Sequence, residues 1–503
     1  MNEELVPLDE HNRRLLANVH PSDWVNPEPK GRYNLVVLGA GTAGLVTAAG
    51  AAGLGARVAL VERHLMGGDC LNVGCVPSKA LIRSARAAAS VKDAPAFGVC
   101  VPEGTRVSFP SVMERLRRLR ADISPHDSAR RFRELGVDVF LGSGRFSGHD
   151  SVEVAGQRLR FARAVIATGA RASAPPIPGL EDTGYLTNET LFSLTELPER
   201  LAVIGAGPIG CEMAQSFARF GSRVTLIETV CQVLPRDDAE AAAFVDKAMR
   251  RDGVEVRCGA TVRAARQGAD GSKVLVVQRD GRDEEVTTDA ILVAVGRAPN
   301  VEGLDLEAAG VAFRRHGVEV DDHLRTTNSR VFAVGDISSP FKFTHAADAL
   351  ARIAIRNALF FGRARASALT IPWCTYTSPE LGHVGLSEHD ARERNVAIET
   401  FRVPLEQVDR ARLDGDEGLL KVHVRKGTDK VVGATLVAPD AGNIISELTL
   451  AIGAGLGLAT LAASIHPYPT QSEVVKRAAD AYNRTRLTPR VRGLFQRMLA
   501  WRR

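Results

Sequence analysis

The sequence predicts an α/β protein with two Rossmann-like dinucleotide-binding units, and three observations carry that prediction. An apolar strand, a glycine-rich turn, a helical pattern, a second strand and an acid occur together between residues 33 and 62. The same arrangement recurs between residues 201 and 228. The chain has 503 residues, 45% hydrophobic and 24% charged, which is the length of about three domains and the composition of an ordinary globular protein.

In the first unit Leu35-Val36-Val37-Leu38 leads into a turn carrying Gly39, Gly41 and Gly44, then an alanine-rich helix, then Val58 to Val61 ending at Glu62. The glycines let the backbone approach a pyrophosphate, the helix N-terminus holds its charge, and the acid bonds a ribose. The second unit runs from Leu201 through Gly205, Gly207 and Gly210 to a strand ending at Glu228. Each acid lies 23 residues after its first glycine. A lone glycine motif is weak evidence, but two complete units imply two dinucleotides. At the second, Glu228 favours NADH, because a carboxylate there bonds the free 2′-hydroxyl and repels a 2′-phosphate. Arg223 and Arg236 are near enough in sequence to serve NADPH instead.

Directly after the first unit, Gly67 to Leu81 reads GGDCLNVGCVPSKAL and places Cys70 and Cys75 in a turn-rich segment feeding a helix. Two thiols so spaced can close a small ring. A helix starting near Pro77 would turn its positive end toward them and favour the thiolate. For a bare C-x4-C, two cysteines that merely pack or cross-link are the competing reading. The seven cysteines (70, 75, 100, 211, 231, 258 and 374) are odd in number and thinly spread, which suits a reducing compartment rather than a disulfide scaffold. The acidic opening after Met1 has neither the basic nor the apolar part of a signal peptide, so the expected location is the cytoplasm. A net charge of +5 is too diffuse to argue for nucleic acid.

The segment continuing into Val76-Pro77-Ser78-Lys79 resembles the redox-active site of the flavoprotein disulfide reductases, which include dihydrolipoamide dehydrogenase, glutathione reductase and mercuric reductase. The resemblance spans roughly residues 33 to 488. It implies that Cys70 is the interchange thiol that meets substrate, that Cys75 forms a charge-transfer contact with the flavin, and that Lys79 lies beside the flavin with Glu212 as its partner. It also implies that the first unit, with Gly68, holds FAD, and that the second holds the nicotinamide nucleotide. Phe161 to Ala170, containing Thr168 and Gly169, reads as a strand ending at a glycine turn. Ala290 to Asn300, with Gly296, and Thr326 to Asp336 resemble the family's crossover and second flavin motif, in which Asp336 bonds the ribityl chain.

The implied organisation is an arm over residues 1–30, loosely held; FAD-binding segments over 31–175 and 296–365; an NAD(P)-binding domain over 176–295; a C-terminal α+β dimerisation domain over 366–488, hence a homodimer; and a basic tail over 489–503. Leu448 to Ile465 carries no charge, but Gly453, Gly455 and Gly457 divide it into two short helices, which argues for a buried interface and against a membrane span. In the tail, Val491, Leu494, Phe495, Met498 and Leu499 recur at helical spacing among arginines. Such a helix either packs on the dimer or lies on an anionic membrane surface as a peripheral contact.

Two departures bear on the substrate. Disulfide reductases of this family carry, five residues before a glutamate, a histidine that protonates the leaving thiolate; here Tyr468 stands five residues before Glu473. A phenol is a poor proton shuttle at neutral pH. Mercuric reductases resemble this chain in having tyrosine there, and reducing a metal ion held transiently by Cys70 and Cys75 needs no proton for a departing thiol. His466, two residues earlier, is the alternative proton donor. Against a mercuric reductase, no cysteine follows Cys374 to serve as a C-terminal metal-delivering pair, and none precedes Cys70. The expected activity is therefore NAD(P)H-dependent reduction of a soft metal ion such as Hg(II). The alternatives are reduction of a small disulfide such as lipoamide or glutathione, and a slow-turnover redox sensor.

Overall fold

The computed structural model describes residues 5–503. The described residues form two compact units, the first comprising residues 5–205, 216–225 and 261–369 and the second residues 206–215, 226–260 and 370–503.

The first unit is built on a mixed sheet. Strand β1 (Arg32–Leu38) pairs in parallel with β2 (Val58–Glu62), and β2 with β3 (Val137–Leu141). On its other side β1 pairs in parallel with β6 (Gln157–Ile166), which continues antiparallel to β5 (Ser151–Val154) and then β4 (Gly144–Gly148). The strand Val331–Ala333 returns to lie parallel to β6, so the chain closes back on its starting sheet. Val58 to Glu62 is buried along its whole length, as expected of a parallel strand covered on both faces. Helix α2 (Thr42–Gly53) connects β1 to β2, and the helix Thr344–Leu359 lies against it. The third glycine of the turn is sterically required: a Cβ on Gly44 would stand 1.8 Å from the carbonyl oxygen of Gly39.

Residues 5–30 are not loosely held. Helix α1 (Glu10–Val19) starts at an Asp9 cap that accepts the Asn12 amide, and Leu15 and Val19 are fully buried. Beyond it, Trp24 Nε1 donates to the carbonyl of Val139 at 3.2 Å, and Asn26 makes two bonds with the Leu141 backbone at the end of β3. The polar character that suggested a free arm is spent on these cross-links.

The second unit centres on a five-stranded antiparallel sheet ordered Trp373–Thr375, Glu380–Gly385, Val431–Ala438, Leu419–Arg425, Ile398–Pro404. Helices Ala441–Gly453, Leu458–Ala463 and Glu473–Arg486 pack their apolar faces on it. The uncharged run is thus divided at its glycines, and among the described residues no helix is long and apolar enough to cross a membrane.

Inside this unit Lys421, 7% exposed, donates to Asp238 at 2.7 Å, and His383 and His423 are buried beside threonines, His423 Nδ1 lying 2.9 Å from Thr400 Oγ1. Burial is the main force pushing His423 down to about 4, outweighing the attraction of Glu388. An unfolded chain takes up this proton below about pH 6.5 whereas the folded one does not until about pH 4, so stability falls as pH drops through that window, by up to about 3 kcal/mol. We expect His423→Gln to flatten the loss: urea unfolding at pH 7 and pH 4.5 should show a smaller drop than wild type, and equal drops would contradict the assignment.

Candidate active site

The redox loop sits where β2 and α2 deliver the chain to two successive helices. Short helix α3 (Gly68–Asn72) carries Cys70, and α4 (Cys75–Asp93) begins at Cys75 itself, two residues earlier than Pro77 suggested. The displaced start matters chemically. Gly74 caps α4 with no side chain, so the first residue presented at the positive helix end is a thiol, while Lys79 follows one turn later on the same face. Gly68 adopts a positive φ, and a Cβ there would meet Gly41 Cα at 2.6 Å. The loop and the glycine turn therefore touch through backbone alone.

Cys70 is half-buried and Cys75 exposed. The dipole does not lower both sulfurs, as the spacing alone suggested. Cys70 is pushed up, first by its hydrogen bond to Cys75 and then by burial, with Thr344 opposing. Two sulfurs in contact give up their protons one at a time, so the one at the helix start is the better placed to ionise first. Thr344 Oγ1 lies 3.2 Å from Cys75 Sγ at the first residue of its helix. Sequence reasoning missed it, since no local motif marks a threonine 269 residues from the thiol it touches.

Around the glycine turn, Glu62 Oε2 accepts the Ala40 amide at 2.6 Å and Oε1 the His64 amide at 2.8 Å, leaving further lone pairs for a ribose. Helix α2 starts at Gly41 without a side-chain cap and with no acid in its first turn, so its amides are free to hold an anion. Thr168 and Gly169 are fastened to the crossover: Thr168 Oγ1 donates to the Asn300 carbonyl at 3.0 Å, and the Asn300 amide to the Gly169 carbonyl at 3.0 Å. Gly296 takes φ +143° just before Arg297, a residue the motifs did not single out. Arg297 is ion-paired to Asp69, beside Cys70, and its Nε lies 3.5 Å from Asp336. Asp336 is pushed up by burial, with Arg297 and Lys342 opposing. These features fit FAD.

In the second unit Glu228 Oε2 accepts the Ala206 amide at 2.8 Å and Oε1 the Val230 amide at 3.1 Å, which repeats the Glu62 arrangement. A Cβ on Gly207 would meet nothing, and Gly210 is buried within the helix Pro208–Phe220. Gly205, in the first unit, has φ +100°. Arg223 is engaged with Glu199 at 2.5 Å. Glu212, 4% exposed, accepts the Tyr376 amide at 2.9 Å. Farther along, Tyr468 is 70% exposed and donates to Asp409 at 3.1 Å, a bond that pushes the phenol up. His466 has a carboxylate of its own: Nε2 lies 3.1 Å from both oxygens of Glu447. Glu473 opens its helix, and its buried Oε2 has no partner among the described residues.

Comparison with known proteins matches residues 33–351 to the pyridine nucleotide-disulphide oxidoreductases and residues 371–479 to their dimerisation domain. The chain belongs to this family. Pyridine nucleotide-disulphide oxidoreductases are FAD-dependent enzymes that use a pyridine nucleotide, and the dimerisation domain supports a homodimer. A mercuric reductase from Bacillus cereus is 34% identical over 462 residues, 92% of this chain and 73% of that one. A dihydrolipoyl dehydrogenase from Thermus scotoductus is 36% identical over 459 residues, 90% of this chain and 98% of that one. Among solved structures, the Cu(II) complex of the HOCl-induced flavoprotein disulfide reductase RclA from Escherichia coli is similar at TM-score 0.78 and 29% identity, covering 88% of this chain and 98% of that one. LpdA from Mycobacterium tuberculosis is similar at TM-score 0.80 and 28% identity, over 89% and 99%.

Proposed function

We propose that this flavoenzyme passes two electrons from NAD(P)H through the Cys70–Cys75 pair to a thiolate-bound soft metal ion such as Hg(II), giving Hg(0), NAD(P)⁺ and a proton. Residues 31–175 and 296–365 take FAD, residues 176–295 the nicotinamide nucleotide, and residues 366–488 the dimer contact. When bound, FAD relays electrons from the nicotinamide to the sulfurs. Cys70 is the thiol that meets substrate, Cys75 the one at the helix start that faces the flavin, and Lys79, paired with Glu212, lies beside it. The observation that carries the metal reading is Tyr468: the group in the proton donor's place is an exposed phenol committed to Asp409 and pushed up. Metal reduction tolerates this, because no thiol departs. The mercuric reductases among the relatives, and copper in the RclA complex, support the same reading.

A second reading, reduction of a small disulfide or oxidation of a dithiol such as lipoamide, is favoured by the His466–Glu447 pair. A steady-state screen decides between them. Hg(II)-dependent NAD(P)H oxidation above that with lipoamide or glutathione disulfide is expected; turnover with the disulfides alone would sink the metal reading. A slow redox sensor is separated by anaerobic NADH titration, in which the enzyme takes up two electron pairs with a long-wavelength thiolate-to-flavin band and the sensor one pair without it.

For the nucleotide, Glu228→Ala should reduce the preference for NADH over NADPH by roughly 1–3 kcal/mol, through the loss of one hydrogen bond and one repulsive charge. The ratio of kcat/KM values measures it, and a wild-type preference for NADPH would refute the premise. The tail forms a helix, Pro489–Trp501, with no buried residue and with Leu494 and Trp501 65% and 85% exposed. We expect its apolar face to pack in the dimer, so that full-length protein and a chain ending at Thr488 both fail to cosediment with anionic liposomes at low salt. Salt-sensitive binding lost on truncation would assign it to a membrane surface instead.

A further inference from the structure

The peptide groups between the two thiols are held by side chains from distant parts of the chain. Arg120, on helix α5 (Phe109–Ile123), donates Nη1 to the carbonyl of Asn72 at 2.7 Å, and Asn188 donates to the carbonyl of Val73 at 3.1 Å. The other end of the Arg120 fork, Nη2, reaches Oδ1 of Asn12 on α1 at 2.6 Å. Asn12 is itself fixed, donating Nδ2 to the Pro7 carbonyl at 2.8 Å and its amide to Asp9 at 2.9 Å, while Asp9 accepts from Arg117 at 2.5 Å. Arg120, Asn12 and Asn72 are 3%, 0% and 3% exposed. No carboxylate stands within ion-pair distance of Arg120 among the described residues, and its buried Nε has no partner there. Burial pushes its guanidinium down to about 10.

A buried guanidinium that gives its bonds to two neutral oxygens returns little stability against the desolvation it suffers. A role as simple fold glue explains it poorly. What its fork does join is the N-terminal helix and the middle of the redox loop. We propose that α1 is a strap on the redox loop and that Arg120 is the positioning residue through which it sets the thiol–disulfide balance of Cys70 and Cys75. This rests on those two cysteines being the redox pair.

The physical link is effective concentration. Closing the disulfide is favoured when the loop already holds one sulfur near the other, because less chain entropy is lost on closure. Removing the bond to Asn72 leaves that peptide held through the Val73 amide on the Asp69 carbonyl, 2.9 Å, with one anchor fewer, so the open dithiol gains conformations that the closed ring cannot. The disulfide should then be easier to reduce. A lysine ammonium at this position lacks the rigid fork that spans the two oxygens, so Arg120→Lys should recover part of the effect.

The test equilibrates the full-length holoenzyme with dithiothreitol, whose two thiols lose the two electrons and two protons that the protein disulfide gains, and quantifies Cys70 and Cys75 by alkylation and peptide mapping. Arg120→Ala should shift the exchange constant toward the dithiol about tenfold, ~30 mV for a two-electron couple. Asn12→Ala, which touches neither cysteine, should shift it the same way by a smaller factor, and the double variant should do no more than Arg120→Ala. Wild-type constants in both single variants overturn the strap. If Arg120→Ala does not fold, Asn12→Ala decides by the same rule. A wild-type chain that forms no Cys70–Cys75 disulfide would overturn the assignment of the pair instead.

Discussion

Cys70→Ser and Cys75→Ser should each lower substrate reduction by at least about a thousandfold, since each removes a covalent participant and not merely a contact. They should differ in colour. Cys75 opens α4 and lies against Thr344, while the Cys70 thiol is pushed up by its bond to Cys75 and by burial. On the roles proposed above, the thiolate that donates charge to the flavin is Cys75. The reduced Cys70→Ser protein should keep the long-wavelength absorbance band, and Cys75→Ser should lose it together with turnover. Because Ser cannot ionise at neutral pH, the band reports the sulfur itself. A Cys75→Ser protein that kept the band would reverse the two roles, and a Thr344→Val variant with an altered band would place the hydroxyl beside the same sulfur.

Which parts of this site could be read from the sequence follows from how each part is encoded. Gly44 is readable because the close approach of α2 to its own turn admits no Cβ, and that demand is written in one short segment. Val58 to Val61 is readable because burial on both faces leaves an unbroken apolar run. Cys70, Cys75 and Lys79 share one stretch whose order carries the chemistry. Thr344, Arg297 and Arg120 could not be read this way. Each reaches the loop from a strand end or helix far along the chain, and only the sheet order brings them together. The arm misled for a related reason: Asp9, Asn12 and Trp24 read as solvated until their partners Arg117, Arg120 and Val139 are known. The same holds for His466, whose carboxylate, Glu447, lies 19 residues earlier and belongs to no local motif.

That last difference makes Tyr468→His the sharper test of substrate class. Glu473 Oε2 is buried without a partner among the described residues, so an acceptor stands ready five residues from the substituted position. An imidazole held by that carboxylate would titrate near neutrality and could protonate a departing thiolate, which the Tyr468 phenol, pushed up by Asp409, cannot. General acid catalysis is worth roughly 10²–10⁴-fold, and partial alignment should deliver at least about the lower end of that range. The ratio of lipoamide or glutathione disulfide reduction to Hg(II) reduction should therefore rise at least about a hundredfold in Tyr468→His, with the metal rate little changed. The competing donor is already in place: His466, its side chain 7% exposed, with Nε2 between the Glu447 oxygens. If the ratio stays at the wild-type value and His466→Ala abolishes whatever disulfide turnover the wild type has, the His466–Glu447 pair is the proton donor and Tyr468 no longer argues for a metal substrate.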